Sequence, residues 1–153
     1  MNEKQMWQAF ITEQPAYKDE NYQAWQYGAI PDELAQLTLS GIKTATSSAH
    51  CLYEIEKEEL PKAGEWHIIL DSSDQAVCII RLVTVTVYPF KDVPAEIAYQ
   101  EGEGDRTLAY WRAVHQRFFT DLLVDYDLSF SEEMLVVCEQ FECVYPAKRE
   151  VNR

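Results

Sequence analysis

Residues 76–87 read Ala-Val-Cys-Ile-Ile-Arg-Leu-Val-Thr-Val-Thr-Val, an uninterrupted run dominated by β-branched side chains. Such side chains fit a pleated, half-buried surface better than a helix. The run therefore predicts a single strand of twelve residues. Ordinary strands have about 5–6 residues, so this one suits a barrel, where a strand bends through a bulge and follows the curve. Its neighbours agree. Trp66 to Leu70 reads as another strand, and Asp71-Ser72-Ser73-Asp74 has the composition of a hairpin turn joining the two. A short strand is expected at 44–48, and Met134 to Tyr145 reads as a final strand able to close a barrel.

Helices interrupt these strands without a regular strand–helix–strand alternation. That predicts an α+β chain, a mixed or antiparallel β-barrel flanked by helices, and argues against a parallel sheet. Residues 3–13 predict a short helix, with Met6, Trp7 and Phe10 on its apolar side and Pro15 as its stop. Pro31-Asp32-Glu33 opens a second helix, since early carboxylates favour the positive helix N-terminus. Leu34 and Leu37 form its expected inner face, and Gly41 suits its C-terminal cap. Residues 51–59 predict an acidic helical turn, and Pro94 begins a helix through Gln100. The clearest helix is 107–123, where Leu108, Trp111, His115, Phe118 and Leu122 repeat at three and four. Residues 17–30 carry Tyr17, Tyr22, Trp25 and Tyr27 without a clear period and read as an aromatic loop. The tail from Pro146 to Arg153 is polar and expected to fray. With no internal repeat or linker, residues 1–153 are expected to form a single domain. Its core spans about 25–145, and the 3–13 helix packs on it.

Charge narrows the partners. Asp and Glu number 26 against 13 Lys and Arg, a formal net charge of −13. The average surface repels a phosphate polyanion, which excludes a broad DNA-binding face. Any nucleic-acid contact must come from a local basic spot, for which Lys43, Arg81, Arg106, Arg112 and Arg117 are available. Cys51, Cys78, Cys138 and Cys143 show no C-x-x-C spacing, and Cys78 and Cys138 lie inside apolar strand-like runs. They read as small buried hydrophobes. The first five residues lack the basic start and apolar run of a secretory signal, and no stretch reaches the ~20 apolar residues of a membrane span. A cytoplasmic protein without a membrane partner is expected.

Three segments could carry chemistry. In Gly41-Ile42-Lys43-Thr44-Ala45-Thr46, an amine lies close in sequence to a hydroxyl. A lysine of lowered pKa can accept the hydroxyl proton and make it a nucleophile; the same residues also read as a helix C-cap with a basic group near the negative helix end. In Gln100-Glu101-Gly102-Glu103-Gly104-Asp105, carboxylates alternate with glycines. They could serve as acid, base or ligands for a hard metal ion, or Asp105 could simply cap the next helix. His50, His67 and His115 are not paired at ligand spacing, and His115 reads as a hydrogen-bonded core histidine. Trp25 and Tyr27 could stack a nucleobase or pack in the core.

Together these segments resemble the ASCH family, a branch of the PUA-like barrels. The signature Gly-x-Lys-x-x-Thr is present as Gly41, Lys43 and Thr46, in a form similar to that of the longer bacterial members. Asp32-Glu33-Leu34 precedes it, and Glu101-Gly102-Glu103-Gly104-Asp105, Trp111 with His115, and Val136-Val137-x-Glu139-x-Phe141 follow in order. The resemblance covers roughly residues 25–145 and implies a PUA-like fold and a link to RNA. Some relatives look like RNA-binding modules. Short bacterial members hydrolyse the acetyl amide of 4-acetylcytidine with a Lys, a Thr and a Glu that match Lys43, Thr46 and Glu101 here. A longer member is described as a metal-dependent ribonuclease.

The leading expectation from this likeness is amide hydrolysis on a modified nucleoside, with Lys43, Thr46 and Glu101 catalytic and no metal or other cofactor required. Trp25, Tyr27, Gly41, Glu103, Asp105 and His115 are the expected substrate-binding residues, and the partner is a modified nucleoside or short RNA. The alternatives are a non-catalytic RNA-binding module and a ribonuclease holding a divalent ion on Glu101, Glu103 and Asp105. The chain departs from the short amidohydrolases in its N-terminal segment, in a helical insertion after Glu101, and in Ala29 after Tyr27-Gly28, where an acidic residue is usual.

Overall fold

The structure is a computed structural model, and it describes residues 1–147. The strands are β1 (Tyr22–Gln26), β2 (Ala45–Ala49), β3 (Trp66–Leu70), β4 (Ala76–Pro89) and β5 (Leu135–Tyr145). The α-helices are α1 (Glu3–Glu13), α2 (Pro31–Leu39), α3 (His50–Ile55), α4 (Ala95–Glu101) and α5 (Leu108–Val124). The strands form one mixed sheet in the order β1-β3-β4-β5-β2. β1 pairs parallel with β3, whereas β3–β4 and β2–β5 are antiparallel. The α+β class expected from the sequence is present. The expectation of a frayed tail falls largely on residues 148–153, outside the described residues. No helix among the described residues is long and apolar enough to cross a membrane.

The chain divides into two compact units, and the long strands β4 and β5 contribute to both. The first comprises Met1–Lys43, Ala63–Val83 and the chain from Phe141 onward; the second comprises Thr44–Lys62 and Thr84–Gln140.

In the first unit, α1 begins with a capping box. Asn2 accepts from the Gln5 backbone N–H, and the Gln5 side chain accepts from that of Asn2, both at 2.9 Å. Met6, Trp7 and Phe10 then pack against Trp66, Ile68, Leu70 and Ile79. The aromatic segment after α1 is not all loop, which corrects the sequence expectation. Residues 22–26 form β1, in register with β3 from Tyr22↔Trp66 to Gln26↔Leu70. Tyr22 and Ala24 pack on the α1 cluster, and Trp25, on the other face, hydrogen-bonds His67. A half-buried residue on each face hides the alternation that normally announces a strand.

The β3–β4 hairpin carries the expected bulge, where Ile69 pairs with Cys78 but Leu70 with Ala76. Asp71 accepts from the Ser73 and Gln75 backbone N–H groups at 2.9 and 3.0 Å and so holds the turn. Asp32, at the start of α2, accepts from the backbone and hydroxyl of Ser72 at 2.7 and 2.8 Å. These bonds hold its carboxyl below the usual carboxylate range. Leu34, Ala35 and Thr38 are the buried line of α2, with Leu37 only half-buried. Gly41 follows the end of α2 at φ +82°, the left-handed conformation that a terminating glycine supplies.

In the second unit, α4 and α5 bury Ile97, Ala98, Trp111 and Phe119 against Ala49 of β2, Phe90, and Val136 and Cys138 of β5. The inner line of α5 is Trp111, His115, Phe119 and Leu123. Leu108, Phe118 and Leu122 flank that core as partly buried neighbours; a stripe spaced by four, one position round from the expected line at its C-terminal end, wins the core. The α5 N-cap is Thr107, whose hydroxyl accepts from the Tyr110 N–H at 3.1 Å. Asp105 accepts from the Thr107 hydroxyl and N–H at 2.6 and 3.0 Å, so it braces the cap without being it.

The cysteines are free thiols, with Cys78 and Cys138 buried as expected. A hydrogen bond with Cys143, followed by burial, pushes the Cys78 thiol up. Burial, against an opposing hydrogen bond from Ser47, pushes Cys138 up to about 12.

Candidate functional site

The second unit contains a carboxylate that water scarcely reaches. Glu101, the last residue of α4, is 2% exposed. Acids are almost never buried to this degree without compensation, and here donors supply it. The Ser47 hydroxyl of β2 donates to Glu101 Oε2 at 2.7 Å, and the Trp111 indole N–H of α5 donates to the same oxygen. The Thr44 backbone N–H donates to the Gln100 carbonyl at 2.7 Å, tying the chain just before β2 to the last turn of α4.

On the other oxygen, Glu101 Oε1 faces His115 Nε2 at 3.4 Å. The His115 Nδ1 is 2.9 Å from the Trp111 carbonyl. A carbonyl only accepts, so Nδ1 carries the hydrogen and Nε2 is the nitrogen turned toward Glu101. The imidazole stacks on the Trp111 indole at 4.2 Å between centroids, 15° from parallel. Burial alone would lower the His115 pKa; the Glu101 charge and contact outweigh it and raise it above the ordinary histidine value.

Glu103 is half-buried and Asp105 exposed. Glu101, Glu103 and His115 each offer one ligand atom, and these atoms lie within 4.8 Å of one another. Asp105, expected beside the two glutamates as a third ligand, belongs instead to the Thr107 cap.

Thr46 is half-buried on β2, opposite Glu139 of β5 in the register. Alternation along β2 places Ala45, Ser47 and Ala49 on one face and Thr46 and Ser48 on the other. It is therefore Ser47 that bonds Glu101. Glu139, 6% exposed, is a second buried acid and the cross-strand neighbour of Thr46. Sequence reasoning gave no site role to Ser47 or Glu139. The available signal was an acid placed inside the apolar run Val136-Val137-Cys138-Glu139-Gln140-Phe141.

In the first unit, Lys43 is 1% exposed, and its Nζ lies 5.2 Å from the centroid of the Tyr27 ring, a cation–π distance. The Tyr27 hydroxyl is 2.7 Å from Thr38 Oγ1. Trp25 meets Tyr27 edge-on at 5.0 Å and donates its indole N–H to His67 Nδ1 at 2.6 Å. An indole only donates, so His67 Nδ1 is the accepting nitrogen and Nε2 carries the hydrogen toward Glu65 at 3.0 Å. Burial lowers the His67 pKa despite the opposing pull of Glu65. Gly41, in the turn after α2, brings the chain round into Lys43, whose N–H bonds the Leu37 carbonyl at 3.0 Å.

The family model for the ASCH domain matches residues 23–145, a span that takes in most of both units. Among solved structures, the chain is similar to the ASCH domain from Lactobacillus crispatus JV V101, with 25% identity and a TM-score of 0.86 over 92% of each chain. It is also similar to protein EF3133 from Enterococcus faecalis V583, with 38% identity and a TM-score of 0.81 over 92% of this chain and 86% of that one. These matches carry the PUA-like fold class. No curated protein matches the chain.

Proposed function

The chain belongs to the ASCH domain family, and from that membership we propose that it is an RNA-related hydrolase that removes the acyl group from the exocyclic amide of a modified nucleoside such as 4-acetylcytidine. Lys43 takes the proton of the Thr46 hydroxyl. The Thr46 oxygen attacks the amide carbonyl carbon, and an ester to Thr46 forms as the carbon–nitrogen bond breaks. Glu101 binds the base edge and relays to the departing amine the proton that Lys43 took from Thr46. Water then cleaves the ester, releasing acetate and restoring the hydroxyl.

The observation that carries this reading is the carboxylate at the end of α4. It is buried, oriented through one oxygen by Ser47 and Trp111, and joined through Ser47 to the strand that bears Thr46. Preorganisation of this kind is what proton delivery to a leaving group requires. The Lys43 amine is buried as well, 1% exposed, in the turn that leads into β2. The net charge of −13 favours a small neutral ligand over a long polyanion.

The test is release of acetate and cytidine from 4-acetylcytidine by the purified chain and by Lys43→Ala. Turnover by the parent and a loss of about 10²–10⁴-fold in the variant are expected for removal of a general base. No turnover by the parent, or equal rates, removes the proposal.

A further inference from the structure

We propose that Cys143 and Cys78 form an oxidation site, at which hydrogen peroxide converts the two thiols into an intramolecular disulfide that ties β4 to β5. This inference goes beyond the amide-hydrolysis reading and does not depend on it.

The first observation is placement. Both residues lie in the first unit, Cys78 near the start of β4 and Cys143 near the end of β5. The two strands are neighbours in the sheet. Neighbouring strands stand about 4.7–4.9 Å apart, within the roughly 4.4–6.8 Å between Cα atoms that a disulfide spans. Ile79 and Val144 join the α1 cluster, and the cysteines one place before them do not. Alternation therefore turns both sulfurs to the other side of the sheet, where the two thiols are hydrogen-bonded.

The second observation is the order of the pair. The Cys143 Sγ donates to the Tyr145 carbonyl at 3.8 Å, because a carbonyl only accepts. The hydrogen between the two sulfurs is then that of Cys78, and Cys143 Sγ accepts it. Exposure ranks them the same way. Cys143 is half-buried, whereas Cys78 is 0% exposed. A reagent arriving from solvent meets Cys143 first, with the Cys78 sulfur in contact behind it. A second thiol at hand is what turns a sulfenic acid into a disulfide. Buried Cys138 has a hydroxyl as its neighbour instead, that of Ser47 at 3.6 Å.

The chemistry balances with one peroxide. Cys143 gives its proton to solvent, and its thiolate attacks one peroxide oxygen. The oxygen–oxygen bond breaks, Cys143 becomes a sulfenic acid, and the departing hydroxide takes up a proton as water. The Cys78 sulfur then attacks the Cys143 sulfur. The sulfur–oxygen bond breaks, and the hydroxyl leaves with the Cys78 hydrogen as a second water. The pair of sulfurs has lost two electrons and the peroxide has gained them. A dithiol reductant reverses the bridge by exchange.

The experiment treats the purified full chain with hydrogen peroxide under native conditions, blocks the remaining thiols with iodoacetamide and maps the peptides by mass. Two of the four thiols should be lost, joined as Cys78–Cys143, and recovered in full with dithiothreitol. Cys143→Ser should slow oxidation of Cys78 by about tenfold or more, since the buried thiol is then out of reach. Cys78→Ser should leave a Cys143 sulfenic acid that dimedone traps. Cys143 is half-buried, so its serine variant keeps the fold and decides the question even if Cys78→Ser does not fold. Failure of the parent to form the bridge, whether Cys143 stays a thiol or runs on to sulfinic acid, overturns the site. So does oxidation of Cys78 in Cys143→Ser at the parent's rate. A bridge through Cys51 or Cys138 overturns the pairing. The assay contains no nucleoside, so failure here leaves the amide-hydrolysis reading standing, and failure of that reading leaves the oxidation site standing.

Discussion

A polar side chain removed from water must find partners, and in the first unit His67 shows what that does to a titration. Its Nδ1 takes the Trp25 indole hydrogen and its Nε2 faces Glu65, so the neutral ring is fully used. A second ring hydrogen would have to displace Trp25. The folded pKa therefore lies below the ordinary histidine value, with burial the leading cause. The sign follows directly. The contribution is complete above the unfolded value of about 6.5 and is lost as pH falls from there through the folded value. Histidine-resolved NMR titration should place His67 below the ordinary range in the parent. Trp25→Phe, which frees Nδ1, should move it upward, and an unchanged titration would contradict this account.

The candidate catalytic residues could be named from the sequence because a short signature and one later segment carry them. Gly41, Lys43 and Thr46 lie in one hexapeptide, and Glu101 follows Gln100 in a recognisable segment. Ser47 and Glu139 were not legible. Their roles depend on which face of β2 meets α4 and which residue of β5 stands opposite Thr46, and pairing register sets both.

At the scale of elements, the loop joining α4 to α5 is the most constrained connection near the buried acid. Gly102, Gly104 and Arg106 have φ of +73°, +57° and +64°. At Gly104 a β-carbon would stand 2.4 Å from the Tyr110 ring. Gly104→Ala combines an unfavourable backbone conformation with a clash, and should destabilise the chain by about 1–2 kcal/mol in urea unfolding. A change within about 0.3 kcal/mol, inside the usual scatter of neutral surface substitutions, would show that the ring yields freely. The glycines announced this loop in the sequence. The cap was harder to see, because Asp105 and Thr107 are both good N-cap residues and only the bond between them shows which one caps. β4 was legible from its β-branched run, with the bulge beside its start. β1 was not, because only five residues pair and each face bears an aromatic ring.

At the scale of the whole molecule, the order of several motif pieces along the chain was enough for the fold, and the family match and the solved relatives bear it out. Function is less legible, because one fold hosts many chemistries. The acidic charge narrows the choice toward a small ligand. What separates a hydrolase from a passive binder is whether a hydroxyl on β2 becomes a nucleophile. β2 offers two adjacent hydroxyls with different duties: Thr46 belongs to the family signature, and Ser47 holds Glu101. The most direct measurement compares turnover of 4-acetylcytidine by Thr46→Ala and Ser47→Ala. Loss of the nucleophile should lower kcat by about 10³-fold or more, and loss of the positioning hydroxyl by about tenfold. The reverse order, or equal losses, would contradict the assignment of Thr46 as the attacking group.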